Sequence, residues 1–299
     1  MGKSKQELIR HAIEKADLKG LQALLRDGAS PNDPLDNGLL PLMSAASRND
    51  EQVVQLLLDS GGDPRRKSRL GMTALQYTSS PKIAVLLVAA GAEVNATDDY
   101  GGNPLFSVAS NGDAEMVKWL LAHGVKDAPA GMEGMTSLHQ ACLLAYPKVV
   151  AALLAGGADA NLRSKDGLTP LMYVEGMQGK TGVQIIKLLL AAGADPNAKM
   201  ADGGFPLYRA ATDGSPAAIE ALIEGGAKIE MDDGCGETAL AAAVYVNKAD
   251  TAAALLKAGA NAKARISPDH EDPNRRGKSV LELAAASRLA AIRTLFKSR

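Results

Sequence analysis

The sequence predicts an all-α repeat solenoid, a stack of helix-turn-helix units joined by β-hairpin-like connections. Three observations lead there. A short turn recurs along the 299 residues as "RDGASPN", "DSGGDPR", "AAGAEVN", "AHGVKDA", "AGGADAN", "AAGADPN", "EGGAKIE" and "KAGANAK". Each turn is preceded by an apolar run such as "VVQLLL", "MVKWLL", "VVAALL" or "IIKLLL", and further upstream by a helix start such as "GMTSLHQAC" or "GLTPLM". Hydrophobic residues make up 46% of the chain but aromatics only 3%. The core must therefore be built from Ala, Leu, Ile and Val between closely spaced helices.

The register follows from the helix starts, which fall at Leu8, Pro41, Ala74, Pro104, Ser137, Pro170, Pro206, Ala239 and Val280. A period of 33 residues holds for five of the eight steps, with single steps of 30, 36 and 41. A sustained period of this length signals a repeat architecture, in which one unit cannot bury its own apolar face and must stack on its neighbours. The expected units are 2–34, 35–67, 68–97, 98–130, 131–163, 164–199, 200–232, 233–273 and 274–299, forming one domain over 1–299.

The elements of each unit have local causes. Thr169 before Pro170 is placed to cap a helix whose first turn tolerates the ring. Gly193, at the end of a second helix, permits a left-handed C-cap. The third unit lacks three residues between "TALQYT" and "VLLVAAGA", so its helices or their turn must shorten. The sixth gains three within "VEGMQGKTGVQ". The eighth gains eight in "ARISPDHEDPNRRGK", where Pro268, Pro273 and Gly277 favour an exposed loop projecting beside an acidic stretch. Removal of residues 267–274 is then expected to leave the thermal midpoint almost unchanged. Polar outer positions on both end units suit solvent-facing caps.

These motifs resemble the ankyrin repeat, which pairs a T-P-L-H-x-A-A helix start with a G-A-D-x-N turn, and the likeness runs over nearly the whole chain. "GLTPLM" with "AAGADPNA" and "GMTSLHQAC" with "AGGADANL" carry it most closely. The resemblance implies a protein-binding scaffold whose connection tips and first-helix ends line a concave groove. It also implies that His139, at the His of the helix start, ties adjacent loops together by hydrogen bonding.

Charge and cysteine usage exclude several classes. Lys and Arg total 33 against 34 Asp and Glu, a net charge of -1, so no global attraction draws the chain to nucleic acid or to an anionic membrane. Cys142 and Cys235 are far apart, and His11, His123, His139 and His270 are scattered, so neither a zinc spacing nor a disulfide framework is present. No run approaches the roughly 18 apolar residues of a membrane span, and the polar N-terminus has no signal core. A cytoplasmic protein, monomeric when free and without a cofactor, is expected.

Two features imitate catalysis. In "GMQGKTG", residues 176–182, the phosphate-cradling pattern G-x-x-x-x-G-K-T would need its first Gly where Val174 stands, and it should follow a strand. Cys235 has no base fixed beside it, and a nucleophile without a partner is a weak proposal. An enzyme using either is the remote alternative; the expectation is a non-catalytic scaffold. Cys142 reads as a small buried hydrophobe and Trp119 as packed between units.

The register also places candidate contact residues. Positions six and seven after the helix start should face the groove, and there Leu143 and Leu144 stand where other units carry Ser47 and Arg48, Ser110 and Asn111, or Thr212 and Asp213. With Tyr100, Met132, Met135, Leu168, Met177, Met200 and Tyr245 they predict an apolar, Met-rich contact strip. Residues 195–237 hold nine acidic and three basic residues, whereas 274–299 hold seven basic and one acidic. A further basic cluster comprises Arg65, Arg66, Lys67 and Arg69. These clusters lack interleaved aromatics, so a protein partner fits better than nucleic acid. The Ala-rich, free-standing character suggests a bacterial origin, with an immunity protein against a toxin or a host-directed effector as alternative readings.

Overall fold

The computed structural model describes residues 4–174 and 179–297, and every regular element among them is a helix. The first four pairs are α1 (Lys5–Glu14) with α2 (Leu18–Arg26), α3 (Pro41–Ser47) with α4 (Glu51–Asp59), a 3-10 helix (Ala74–Gln76) with α5 (Pro81–Ala89), and α6 (Pro104–Ser110) with α7 (Ala114–Ala122). Next come α8 (Ser137–Leu143) with α9 (Pro147–Ala155), a second 3-10 helix (Pro170–Tyr173) with α10 (Gly179–Ala191), and α11 (Pro206–Asp213) with α12 (Pro216–Glu224). The last are α13 (Ala239–Tyr245) with α14 (Ala249–Lys257) and α15 (Val280–Ala286) with α16 (Ala290–Leu295). Eight of the nine expected starts are the first residue of a helix; Leu8 lies inside α1, because Ser4 caps that helix a turn earlier through the Glu7 N–H at 3.1 Å.

The chain divides into two compact units, Met1–Ser137 with Ala155–Ala158, and Leu138–Leu154 with Asp159–Arg299. Both cores obey one rule. Leu57, Leu87 and Leu120 in the first unit, and Leu153, Leu189, Leu222 and Leu255 in the second, hold the same place on their second helices and are fully buried. Each such side chain contributes about 1.5–3 kcal/mol through burial. The first helices pack through small residues: Ala46 and Ala109 in the first unit, Cys142 and Ala211 in the second, all at 0% exposure. Cys142 thus fills an alanine-sized position, as expected, and a core of this kind has little room for aromatic rings.

The length changes are absorbed locally. The three-residue loss leaves the third pair with a 3-10 turn, Ala74–Gln76, in place of a seven-residue first helix. The three-residue gain lies before α10, which has 13 residues where α9 and α12 have nine, so the extra chain adds about one turn at its N-terminus. Thr169 holds the cap position by backbone angle, but its hydroxyl makes no cap bond; its own N–H donates to Met172 Sδ at 3.5 Å. The short 3-10 turn, rather than an α-helix, alters the direction of the N–H groups that a capping oxygen would meet.

The β-hairpin-like connections need correction. Among the described residues the only extended pairings are isolated antiparallel bridges, Ala130 with Met135, Asp232 with Thr238 and Arg265 with Ser279. There is no length for a strand: Met135 is followed by Thr136 and then at once by α8. The 266–278 segment is non-helical, as its prolines require, and is exposed in part, at Pro268, Asp269, Glu271, Pro273, Asn274 and Arg276, while other residues turn inward. Ile266 is 1% and His270 8% exposed, and the segment is closed at its base by Ile266 N–H to Lys278 O and Gly277 N–H to Ser267 O at 3.0 and 3.1 Å.

The turn inside six of the pairs holds a left-handed residue. Asn49, Asn247, Gly112 and Gly214 are of types that tolerate that conformation, whereas Ala16 and Ala145 adopt φ of 53° and 57°. Ala16 is solvent-exposed, so its cost is conformational rather than a matter of packing. Ala16→Gly is therefore expected to stabilise the chain by about 0.5–1 kcal/mol, read as a higher denaturant midpoint at unchanged slope.

Candidate functional site

Two residues after four of the expected helix starts, at Arg10, Gln76, His139 and Tyr208, a polar side chain reaches the neighbouring turn. Arg10 Nε donates to Asp36 Oδ1 at 2.5 Å, and Gln76 Nε2 to Gly102 O at 3.0 Å. His139, fully buried, sits 3.1 Å from Leu168 O through Nε2 and packs edge-on against Tyr173, which is the loop-tying role expected of it. The Asn of the turn motif adds a second staple. Asn32, Asn161 and Asn197 donate to the carbonyls of Gly61, Gly193 and Gly226 at 2.8, 2.8 and 3.1 Å. The same three amides accept from the N–H groups of Asp63, Asp195 and Lys228 at 2.8, 2.7 and 2.8 Å.

The structure divides the expected contact residues. Tyr100, Met132 and Leu144 are exposed, at 58%, 82% and 41%. Leu143, Leu168 and Met200 are half-buried, and Met177 lies outside the described residues. Met135 is a correction: its carbonyl pairs with Ala130 N–H at 2.8 Å and its side chain turns into the core, leaving 3% exposed. Leu70, at 53% exposure, was not anticipated from the sequence. In the first unit the tips that bear these side chains are joined through backbone, Asp99 N–H to Leu70 O at 3.1 Å and Gly131 N–H to Tyr100 O at 2.7 Å. Leu70, Tyr100 and Met132 therefore form a row of exposed apolar side chains along the tips.

Tyr245, like Leu143, Leu168 and Met200, is partly covered. It is half-buried because the 266–278 segment folds over it. Its hydroxyl donates to Asp272 Oδ2 at 2.7 Å, and the Arg275 guanidinium carbon lies 3.9 Å from its ring centroid, a cation–π distance. Arg275 Nη1 donates to both oxygens of Glu237, at 2.7 and 2.6 Å, and Nε donates to Asp272 at 3.0 Å. Tyr208, at the reaching position of its own pair, donates to Glu237 Oε2 at 3.2 Å. Glu237 is only 1% exposed, so its charge depends on these partners.

The cluster perturbs its members in a consistent sense. The Tyr245 hydroxyl first, then the Asn274 N–H and Arg275, hold Asp272 down to about 2. Burial, followed by the Glu237 charge, raises the Tyr208 phenol above its usual value. Burial opposes the charge of Arg275, but hydrogen bonds to Glu237 outweigh it and leave the guanidinium more firmly protonated than usual.

Asp233, Glu237 and His270 place one donor atom each within 4.8 Å of one another, a spacing a metal ion could use. Their present bonding favours a salt-bridged cluster instead. His270 Nδ1 accepts from Asp272 N–H at 3.0 Å, which in the neutral ring leaves the proton on Nε2, facing Glu237 and Asp233 at 3.5 and 3.9 Å. Arg275 already occupies both Glu237 oxygens. The phosphate-loop look-alike follows the 3-10 helix Pro170–Tyr173 rather than a strand; Gly179 and Lys180 lie in the first turn of α10, and 175–178 are outside the described residues. Cys235 is partly exposed in a turn, its carbonyl accepting from Ser267 N–H at 2.7 Å. Trp119 stacks on His123 of its own helix turn with centroids 3.8 Å apart. No helix among the described residues is long and apolar enough to cross a membrane.

Comparison with known proteins places the geometry in a family context. The family described as ankyrin repeats (3 copies) matches in overlapping windows at 9–98, 77–164, 146–233, 174–266 and 207–299. A mitochondrial disaggregase of Bos taurus is 33% identical over 140 residues, 44% of this chain and 20% of that protein. A B-cell lymphoma 3 protein homolog of Mus musculus is 30% identical over 160 residues, 51% of this chain and 36% of the relative. The human ankyrin repeat and SOCS box protein 3 is 31% identical over 176 residues, 56% of this chain and 34% of the relative. The chain spans between a fifth and about a third of the length of these relatives. All three are eukaryotic, and they lend no support to the bacterial origin expected from composition.

The buried cluster ties the eighth connection to the fold, which argues against its being dispensable. Truncating Arg275 to Ala leaves the Glu237 carboxylate buried without its cation and should cost on the order of 3 kcal/mol in thermal or denaturant unfolding. Acid titration gives a separate check. Because Asp272 titrates lower folded than unfolded, its stabilising contribution is complete above about pH 4 and is lost as pH falls toward about 2. Tyr245→Phe removes the first cause of that shift, so the variant should start from a lower stability at neutral pH and lose less of it than the wild type between about pH 4 and about pH 2.

Proposed function

The chain belongs to the ankyrin-repeat family, and from that premise we propose that it is a non-catalytic protein–protein interaction scaffold. In this reading the nine helix pairs act as one binding domain that is monomeric until it meets its partner. The partner docks on the edge formed by the connection tips and the exposed ends of the first helices. Cys142 and Cys235 form no disulfide, which suits a reducing cytoplasm.

The observation that carries this reading is the tip row of Leu70, Tyr100 and Met132. Three large apolar side chains, each more than half exposed, stand on tips held in line by backbone hydrogen bonds. A soluble monomer gains nothing by exposing such a row, and contiguous exposed apolar surface marks interaction sites. The rigid tips also lower the entropic cost of docking, because little must be ordered on binding. Arg66, Lys67, Arg69 and Leu70 are exposed on one tip, so the partner surface should combine apolar and acidic character. In the second unit, Leu144 is a further exposed anchor at the end of α8.

The test begins with proteins captured from native lysate by the wild-type chain. Tyr100→Ser with Met132→Ser should keep the wild-type thermal midpoint and weaken the captured complex, each anchor being worth about 1–2 kcal/mol. Leu144→Ser should also leave the fold intact, whereas Leu143→Ser, half-buried, should cost some stability. Unchanged affinity in the tip double variant would move the interface elsewhere.

A further inference from the structure

We propose that the pocket around Glu237 is a guanidinium-binding site, filled in the free protein by the chain's own Arg275 and open to an arginine side chain of a partner when Arg275 withdraws. The inference rests on the scaffold reading for its biological ligand, but not for its chemistry. Every wall of the pocket matches a flat cation. The floor is the Glu237 carboxylate, 1% exposed, both of whose oxygens accept from one guanidinium nitrogen. The Asp272 carboxylate takes the Nε–H from the side, and the Tyr245 ring covers the guanidinium face at 3.9 Å. An ammonium ion could meet the carboxylates, but it has no plane to lay against the ring.

Charge leaves the pocket short of cations. Asp233, Glu237 and Asp272 surround it, and among the described residues Arg275 is the one Lys or Arg bonded to their side chains. Neighbouring Arg276 bonds instead to the backbone carbonyls of His270 and Glu271.

The resident guanidinium is also separable from its support. Arg275 enters from a connection whose base is closed by Ile266 N–H to Lys278 O, Gly277 N–H to Ser267 O and Ser267 N–H to Cys235 O, with Arg265 Nη1 also donating to Gly277 O. None of these involves the Arg275 side chain, so its loss empties the pocket without releasing the segment. Tyr245 stands six residues after its helix start, the position expected to face a docked partner. An arriving surface thus meets a pocket whose occupant is tethered, and it competes against an effective concentration in the millimolar range.

The experiment uses the full chain and methylguanidinium, with no partner present. Arg275→Ala should have a lower thermal midpoint than the wild type, and millimolar methylguanidinium should raise it saturably, as ligand binding to the native state requires. Guanidinium compounds otherwise weaken folded proteins, which makes a rise diagnostic. The wild type, its pocket occupied, should show no saturable rise, and methylammonium at equal ionic strength should not restore the variant. No response of Arg275→Ala would overturn the proposal. So would equal rescue by methylammonium or a divalent cation, or rescue that persists when Glu237→Gln is added. If Arg275→Ala does not fold alone, refolding with and without methylguanidinium gives the same decision: recovery only with it supports the site, and recovery with neither refutes it. Failure here would leave the tip row untouched, because that reading is tested by partner capture.

Discussion

A helix pair of this chain cannot stand alone, and the contact that passes from each pair to the next is what the rest of the structure depends on. The apolar leucine of each second helix is buried only because a neighbour covers it. The polar complement is the side chain two residues after the helix start, which reaches the following turn. Arg10, Gln76, His139 and Tyr208 differ in charge, size and hydrogen-bonding capacity, yet all four perform that reach. The backbone geometry sets the target, and the chemistry at the end of the arm is left free to vary.

That freedom is where the two surfaces of interest arise. In the first unit the turns are stapled to one another through backbone and Asn amides, so their outermost side chains need not contribute to stability. Leu70, Tyr100 and Met132 can then be chosen for what they present outward. In the second unit the arm at Tyr208 lands on a carboxylate, Glu237, rather than on a backbone carbonyl. A buried charge must be answered. The extra residues of the eighth connection supply Arg275, which answers Glu237, and Asp272, which anchors Arg275 in turn.

The period, the helix starts and the buried small residues were all legible in the sequence, because they are dictated by neighbours at a fixed offset. What escaped was contact between residues whose offset is irregular. Glu237 occupies a column that in the other inner units holds Leu39, Met72, Gly102, Met135, Leu168 and Gly204, with Gln6 and Lys278 only in the two end units. A carboxylate in that apolar or glycine column was the available signal. Its partner, Arg275, lies 38 positions away across the largest break in the period, where register gives no guidance. Met135 shows the complementary difficulty. Exposure changes here in a block rather than alternately: Met132 and Glu133 are exposed, whereas Gly134, Met135, Thr136 and Ser137 are buried. The hairpin expectation failed for a plainer reason, since the helix begins one residue after the turn closes.

The cluster at Tyr208, Glu237, Tyr245, Asp272 and Arg275 also bears on how the second unit responds to mechanical load. Elsewhere in that unit the described staples join one pair to the next, as Asn161 and Asn197 do, and a pull on the chain would part them one junction at a time. Here five side chains from two helix pairs and the connection beyond them share one set of bonds, so they must give way together. Rupture force rises when bonds are loaded in parallel rather than in sequence. The seventh and eighth pairs are thereby fastened as a block, and peeling from the C-terminus would release α15 and α16 before meeting a single large step there.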